Sequence, residues 1–184
     1  MKRLEDMTSE ELWELFPIIL TAHDDRWKQW AADEIAYLSE ILQGCTLAIS
    51  HIGSTAIEGI LAKPTIDILA ELKEGFSLSD AKERIVSAGY RLMSESGTRM
   101  SFNKGYTPHG FAEKVFHMHL RYAGDNDEIL FRDYLNSHPD VARRYERLKL
   151  GLWKRYEHDR DGYTAAKSDF INEYTQKAKA ESHE

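Results

Sequence analysis

Apolar residues recur along this chain with two periods, one typical of helices and one typical of strands. A spacing of three or four residues predicts helices, whereas alternation or a short apolar run predicts strands. The predicted helices cover residues 8–15, a long segment from Asp24 or Asp25 to Gly44, and residues 57–62, 78–88, 125–136, 140–157 and 162–180. The predicted strands cover residues 45–52, 65–72, 90–94, 99–103 and 114–122. Strands with helices around them, followed by a helical tail, predict an α+β or mixed α/β domain.

Polar residues and glycines set the predicted limits of these elements. Thr8 stands three residues before Glu11, which is the spacing of a capping box at a helix start. Ser77 is placed to cap the helix over residues 78–88. Residues 16–20 are a short apolar run, typical of a strand or of a tight linker. The glycine- and proline-containing segment 104–110 predicts a mobile flap.

Composition and charge narrow the class of protein. The 184 residues are 42% hydrophobic, enough to bury one core, so we predict a single domain over residues 1–184 with a helical tail at 125–180. The net charge of −7 argues against a general nucleic-acid binder but leaves room for a local anion site. The lone cysteine, Cys45, excludes a disulfide within the chain and is expected to be a buried filler. No apolar run is long enough to cross a bilayer and no signal peptide is recognisable, so we expect a cytoplasmic protein.

The segment HIGSTAIEGILAKPTIDIL, residues 51–69, carries the clearest chemical signal. It predicts a strand, a Gly-Ser turn at a helix start, and a second strand that carries an acid. Backbone N–H groups in such a turn attract phosphate, so we predict nucleotide contacts from Gly53, Ser54, Thr55 and Lys63. Asp67 would hold a divalent cation over the same phosphate. The alternative is a tight turn beside an aspartate in an ion pair.

Two histidines supply a second candidate group. His117 and His119 alternate with apolar residues along a predicted strand, so both side chains face the same side about 6.6 Å apart at Cα. We predict that both ligate a metal together with Asp67, and that His119 acts with Asp67 in catalysis. The alternative is a purely structural role for both rings. His51, beside the Gly-Ser turn, is expected to be a structural hydrogen bonder.

Three segments together resemble the GrpB-like family of small bacterial proteins, which is grouped with the nucleotidyltransferase superfamily. They are the segment at residues 51–69, FHMHLR at residues 116–121 and FRDYLNSHPDVARRYERLK at residues 131–149. The resemblance implies an αβα core with a mixed sheet, flanking helices and a helical extension at the C-terminus. It brings no established substrate.

The sequence departs from the superfamily pattern at one position. Active nucleotidyltransferases usually carry two acids one residue apart on the strand, whereas here Leu69 follows Asp67 at that spacing. Glu71 shares the strand face of Asp67 but lies about 13 Å away along the strand, too far for one ion to bridge. A two-metal mechanism is therefore in doubt, and the His pair would have to supply the missing ligands.

Other basic residues offer weaker signals. Lys104, in the predicted flap, is a further candidate for a phosphate contact. The helix over residues 140–157 has a basic stripe that we expect to be a solvated face. The stripe comprises Arg143, Arg144, Arg147, Lys154 and Arg155. Residues 131–134 are expected to pack the tail onto the sheet, with Arg132 and Asp133 as candidate ion-pair partners.

These observations leave three functions open. The leading hypothesis is a protein that binds a nucleoside triphosphate with Mg²⁺ or Mn²⁺ and transfers its nucleotidyl group to an unknown acceptor. The second is a nucleotide-binding regulatory module that has lost one metal-binding acid. The third is a metal-dependent hydrolase that uses Asp67 and the two histidines. Release of pyrophosphate distinguishes the first hypothesis from the second.

Overall fold

A five-stranded mixed sheet forms the centre of the fold, with the spatial order β1–β2–β5–β4–β3. The computed structural model describes residues 2–182. The strands are β1 (Thr46–Ile52), β2 (Ile66–Leu72), β3 (Arg91–Glu95), β4 (Arg99–Thr107) and β5 (Gly110–Tyr122). Strands β2 and β5 run parallel, and the other three neighbouring pairs are antiparallel. The predicted α+β architecture with a mixed sheet is confirmed.

Seven α-helices surround the sheet in the described part of the chain. They are α1 (Ser9–Leu15), α2 (Arg26–Ile41), α3 (Leu78–Ser87), α4 (Asp127–Ser137), α5 (Pro139–Trp153), α6 (Arg160–Ala165) and α7 (Ser168–Glu181). Both predicted capping residues, Thr8 and Ser77, accept a hydrogen bond from the backbone three residues later. Asp24 caps α2 by accepting from the Arg26 N–H at 2.9 Å. None of the helices within residues 2–182 has the length and apolar content that a membrane crossing needs.

The two faces of strand β2 serve different purposes because successive side chains point to opposite sides. Ile66, Ile68 and Ala70 face a core that includes Trp27 and Leu38 of α2. Asp67, Leu69 and Glu71 face the other side of the sheet. The tail helices form a second apolar cluster together with Ile57 and Ile60, and residues of α5 and α6 border this second face of the sheet. The chemistry-bearing side chains therefore lie between the sheet and the helical tail.

The predicted helix at residues 57–62 is wrong. Only a 3₁₀ turn, Ser54–Ala56, follows the Gly-Ser motif. The spacing of Ile57 and Ile60 resembles one face of a helix, but it arises because both side chains are buried in the apolar cluster of the tail. Side chains of the tail take the place of helical hydrogen bonds, since Glu146 accepts from the Leu61 N–H at 2.7 Å.

Of the two alternatives for the apolar run at residues 16–20, the linker is confirmed, since the run has no strand pairing. Two other expectations need correction. The predicted flap at residues 104–110 is a tight hairpin, because β4 and β5 continue pairing to Thr107 and Gly110. The predicted helix at 162–180 is interrupted after Ala165, and α7 begins at Ser168.

Candidate functional site

The Gly-Ser turn lies directly against Asp67. Ile52, the last residue of β1, is the register partner of Asp67 on β2. Gly53 has a φ of 74°, and a Cβ at this position would lie 2.3 Å from Asp67 Oδ2. Only glycine allows both the left-handed backbone and this close approach. Ser54 consequently opens onto the same cavity as the Asp67 carboxylate.

Both predicted histidines converge on Asp67. His117 Nδ1 lies 3.4 Å from Asp67 Oδ1, and His119 Nε2 lies 3.9 Å from the same oxygen. Burial alone would raise the pKa of the Asp67 carboxyl, but contacts with the two rings outweigh burial and hold the pKa below its usual range. The carboxylate is therefore ionised at neutral pH.

His117 is held from both sides of its ring. The Tyr106 hydroxyl lies 2.7 Å from His117 Nε2, and Arg160 donates to the Tyr106 oxygen at 2.6 Å. Because the ionised Asp67 carboxylate can only accept, Nδ1 carries the ring proton toward it, and Nε2 accepts from the Tyr106 hydroxyl, whose oxygen accepts from Arg160. Burial, reinforced by the charges of Lys63 and Arg160, lowers the pKa of His117, so the ring is neutral.

His119 is held more loosely. Its Nδ1 lies 3.5 Å from Ser101 Oγ on the neighbouring strand, at the limit of a hydrogen bond. Its Nε2 lies 3.9 Å from Asp67 Oδ1, and no polar atom of residues 2–182 forms a hydrogen bond with it. This ring is therefore the one of the pair with a nitrogen available to a ligand or a proton.

Four basic side chains surround the carboxylate. Asp67 and the two histidines line a cavity of about 350 Å³ together with Lys63, Lys149, Arg160 and Lys167. Burial lowers the pKa of Lys63 to about 8, that of Lys149 to about 7 and that of Lys167 to about 8. Asp67 is the only acid among the residues that line the cavity. The cavity is therefore a strongly electropositive, partly desolvated site.

Two tyrosines pack against lysines of the cavity, Tyr163 against Lys167 and Tyr145 against Lys149. Tyr163 lines the cavity, and its buried hydroxyl has no hydrogen-bond partner among residues 2–182. Burial raises the pKa of Tyr145 to about 12, against a smaller lowering by its hydrogen bond with Ser54. An unpaired buried hydroxyl is uncommon in native structures, and a bound ligand is one way to satisfy it.

Several candidates from the sequence lie elsewhere or are already engaged. Thr55 is buried, and its hydroxyl donates to the Thr65 carbonyl at 3.2 Å and contacts His51 Nε2 at 2.9 Å. The structural role expected of His51 is thus confirmed, and burial lowers its pKa to about 4. Glu71 accepts at 3.0 Å from both the Gly124 N–H and the Asn126 amide, so it fixes the turn after β5.

The expected phosphate contact from Lys104 is wrong. It belongs to β4 rather than to a flap, and its ammonium group pairs with Glu34 of α2 at 2.8 Å. Its register partner is Phe116, whereas the site residue His117 pairs with the preceding residue, Asn103. Lys104 therefore faces the opposite side of the sheet from Asp67 and does not reach the cavity.

The remaining expectations for the basic and tail residues are confirmed. The five residues of the basic stripe are all exposed. Helix α5 ends at Trp153 rather than at the predicted residue 157, so Lys154 and Arg155 follow the helix. Arg132 forms an ion pair with Asp133 at 2.7 Å and also donates to the His51 carbonyl. Cys45 is 2% exposed, as expected of a buried filler.

The donor set does not form a resident metal site. Within residues 2–182, no group of three or more His, Cys, Asp or Glu side chains is arranged to hold a metal ion. Both nitrogens of His117 are occupied, which leaves one carboxylate and the His119 ring. Magnesium is commonly bound by one or two carboxylates together with substrate phosphates. The residues therefore fit a metal ion that arrives with a polyphosphate better than one held by protein alone.

The sequence contained one overlooked signal for the basic residues. Lys149 lies four residues after Tyr145 and eight after Val141, on the apolar face of α5, and is 1% exposed. A lysine on a buried helix face is unusual unless it is paired or functional. Arg160 and Lys167 gave no such signal, because the interruption between α6 and α7 that positions them was not predicted.

Comparisons with known proteins agree on a family. A family model described as GrpB protein matches residues 17–177. The glutamate-rich protein GrpB of Alkalihalophilus pseudofirmus is 38% identical over 165 residues, which cover 85% of this chain and 92% of that protein. A UPF0157 protein of Pseudomonas aeruginosa is 36% identical over 151 residues, covering 80% of this chain and 62% of the relative.

Solved structures give the same picture of the fold. The crystal structure of the conserved protein GrpB from Enterococcus faecalis superposes with a TM-score of 0.77 at 28% identity, over 90% of this chain and 100% of that one. The Cid1 poly(U) polymerase bound to MgATP gives a TM-score of 0.50 at 12% identity, over 77% of this chain and 44% of the polymerase. The second likeness shows a shared nucleotidyltransferase-like fold.

Proposed function

This chain belongs to the GrpB family, and from its site we propose that it binds a nucleoside triphosphate and transfers the nucleotidyl group to a hydroxyl-bearing acceptor. The observation that carries the proposal is the charge of the cavity beside the Gly-Ser turn. Four basic side chains face one carboxylate there. A triphosphate supplies the negative charge that this group of cations lacks.

The lysines account for phosphate binding. Burial lowers the pKa of Lys63, Lys149 and Lys167 more than the nearby carboxylates of Asp67 and Glu146 raise it, so a bound anion gains from restoring their charge. Ser54 adds a hydroxyl donor beside them. Because the turn after Gly53 is a single 3₁₀ turn, side chains rather than a helix N-terminus contribute most of the attraction.

Asp67 and His119 account for the reaction. Asp67 would hold a magnesium ion that enters with the nucleotide, and such an ion stabilises charge on the phosphates when bound. His117 donates to Asp67 and keeps the carboxylate oriented. His119 Nε2, which has no hydrogen-bond partner within the described residues 2–182, lies on the same side 3.9 Å from Asp67. It is placed to accept the proton of the attacking hydroxyl.

A second candidate function rests on one residue. Leu69 stands where a second metal-binding acid would be expected, and it is fully buried. A module that binds the nucleotide without turnover would tolerate this loss. Binding without release of pyrophosphate favours the module.

The test incubates the purified chain with each of the four nucleoside triphosphates and Mg²⁺. Binding is measured by equilibrium dialysis, and pyrophosphate release is measured in the presence of a mixture of small hydroxylated acceptors. Asp67→Asn is expected to abolish Mg²⁺-dependent binding. Glu71→Gln is the matched control, since Glu71 shares the strand and the face but binds the Gly124 turn. Failure of all four nucleotides to bind the parent chain contradicts the proposal.

A further inference from the structure

A second cavity adjoins the cationic one. It measures about 450 Å³ and lies between the N-terminal segment and strands β3 and β4. Met93, Asn103 and Arg160 line both cavities, so the two are neighbours across these three side chains. Nothing in the proposed function so far uses the second cavity.

Asn103 stands at the junction in an unusual state. Asn103 is buried, with only 5% of its surface exposed. Its side-chain amide nitrogen donates to the thioether sulfur of Met93 at 2.9 Å. Sulfur is a weak acceptor, so the bond satisfies a buried amide poorly. Asn103 is also the register partner of His117, which is the partner of Asp67. The three residues therefore form one row across the sheet.

The chemistry of the second cavity differs from that of the first. Trp13, Leu92 and Met93 give it flat apolar walls. Its acids, Glu5 and Asp161, are matched by its bases, Arg91 and Arg160. A neutral molecule with a flat apolar ring and a hydrogen-bonding edge suits these walls, because the ring stacks on the aromatic and thioether groups and the edge pairs with Asn103.

The row across the sheet has the phosphate-binding candidates at one end and the second cavity at the other. Ser54 follows β1, Lys63 precedes β2, and Lys149 donates to the Leu61 carbonyl between those two strands. Asn103 and Met93 lie on β4 and β3, beyond the histidines of β5. In phosphoryl transfer the attacking and leaving oxygens are roughly in line. If the leaving pyrophosphate lies on the lysines, the attacking group enters from the β3–β4 side.

We propose that this second cavity is the acceptor subsite, and that it takes a neutral nucleoside whose base contacts Asn103. The assignment of the nucleoside as acceptor rests on the proposed function. In the step, a nucleoside hydroxyl oxygen bonds to the α-phosphorus and the bond from that phosphorus to the bridging oxygen breaks. Pyrophosphate leaves with the electron pair of the broken bond, and the hydroxyl proton passes to Nε2 of His119.

Calorimetric titration with adenosine, cytidine, guanosine and uridine tests the subsite on the full chain. At least one nucleoside is expected to bind, and saturation with the α,β-methylene analogue of ATP and Mg²⁺ is expected not to displace it. Asn103→Leu is expected to weaken nucleoside binding about 10-fold, the scale of a lost two-point base contact. Binding of inorganic tripolyphosphate should not change. Asn172→Leu, the same change at an exposed position of α7, is the control.

The outcomes separate the subsite from the proposed function. No nucleoside binding at millimolar concentration overturns the inference. Displacement by the nucleotide analogue also overturns it, because the cavity would then hold the base of the nucleotide itself. Nucleoside affinity in Asn103→Leu that equals the parent affinity also overturns the inference. If Asn103→Leu fails to fold, the displacement experiment on the parent chain serves as the test. Nucleoside binding without any tripolyphosphate binding would instead contradict the proposed function and leave a neutral-ligand site.

Discussion

Gly53 and Asp67 approach so closely that a single methyl group on Gly53 would fall 2.3 Å from Asp67 Oδ2. The backbone of the turn and the carboxylate of the neighbouring strand are thus fitted to each other, although 13 residues lie between them in the sequence. Any side chain at residue 53 must displace the carboxylate or the turn.

Gly53→Ala should therefore weaken Mg²⁺-dependent nucleotide binding by at least about 10-fold, as expected when a binding group is moved by about 1 Å. The matched control is Gly75→Ala, which has a φ of +89° but no heavy atom within 4 Å of the added carbon. Both variants should lose about 1–2 kcal/mol of stability from backbone strain. Dialysis together with denaturant melts measures both effects. Nucleotide affinity that is equal in the two variants would show that the close approach is irrelevant to the site.

Asp67→Asn should change the binding of free and metal-bound phosphates in opposite directions. Removing the one negative charge among four cations should tighten the binding of metal-free tripolyphosphate, because repulsion between like charges is relieved. The same change should weaken binding of the Mg²⁺ complex. Titrations with and without Mg²⁺ measure the two affinities. A loss of affinity for both forms would indicate that Asp67 has a structural role only.

Anion binding should depend on pH through Lys149. Burial and the nearby Lys167 lower the pKa of Lys149 to about 7, and a bound phosphate should raise it again. Affinity for tripolyphosphate should then fall as pH rises from about 7 to about 9, because binding must take up a proton. Lys149→Met should bind more weakly at pH 6.5 and show a flatter profile.

Lys154→Met is the control for that experiment, since Lys154 is exposed and pairs with Glu157 at 2.9 Å. Its profile should match that of the parent chain. Lys63 and Lys167 have pKa values lowered to about 8, so a residual slope above pH 7.5 is expected in Lys149→Met. A parent profile without any slope between pH 6.5 and 9 would contradict the burial of these charges.

The chain of contacts from Arg160 through Tyr106 to His117 predicts one ring tautomer. His117 should carry its proton on Nδ1, because the Tyr106 hydroxyl donates to Nε2. A two-bond ¹H–¹⁵N correlation spectrum reads the tautomer directly. Tyr106→Phe should mix the tautomers and destabilise the fold by about 1–3 kcal/mol, the penalty for unsatisfied buried groups. Tyr122→Phe, at a residue 36% exposed, should do neither, and a proton on Nε2 in the parent chain would refute the assignment.

Local patterns in the sequence predicted the part of the site that neighbouring strands build. Alternation placed His117 and His119 on one face, and the short distance between the Gly-Ser turn and Asp67 placed those groups together. Pairing of β2 with β5 brings both histidine rings within 4 Å of the Asp67 carboxylate. Sequence spacing cannot specify this contact. The parallel register of the two strands decides it.

The cationic half of the site could not be predicted in the same way. Lys149 and Lys167 lie about 80 to 100 residues after Asp67, and only the packing of the tail brings them to the cavity. The position of Lys104 was mispredicted for a related reason. A glycine next to it predicted a loop, whereas Gly105, with a φ of +93°, provides an irregularity within a continuing hairpin. Local composition therefore suggested flexibility where cross-strand pairing gives order.

The most direct measurement of the central claim is the affinity of the full chain for ATP, CTP, GTP and UTP with Mg²⁺, compared with that of three cavity variants. Lys63→Met, Lys149→Met and Lys167→Met should each weaken nucleotide binding by about 10-fold or more, as expected for the loss of a charged hydrogen bond. Lys154→Met should bind like the parent chain. If no nucleotide binds the parent, or if the cavity variants bind as tightly as Lys154→Met, the cavity is not a nucleotide site.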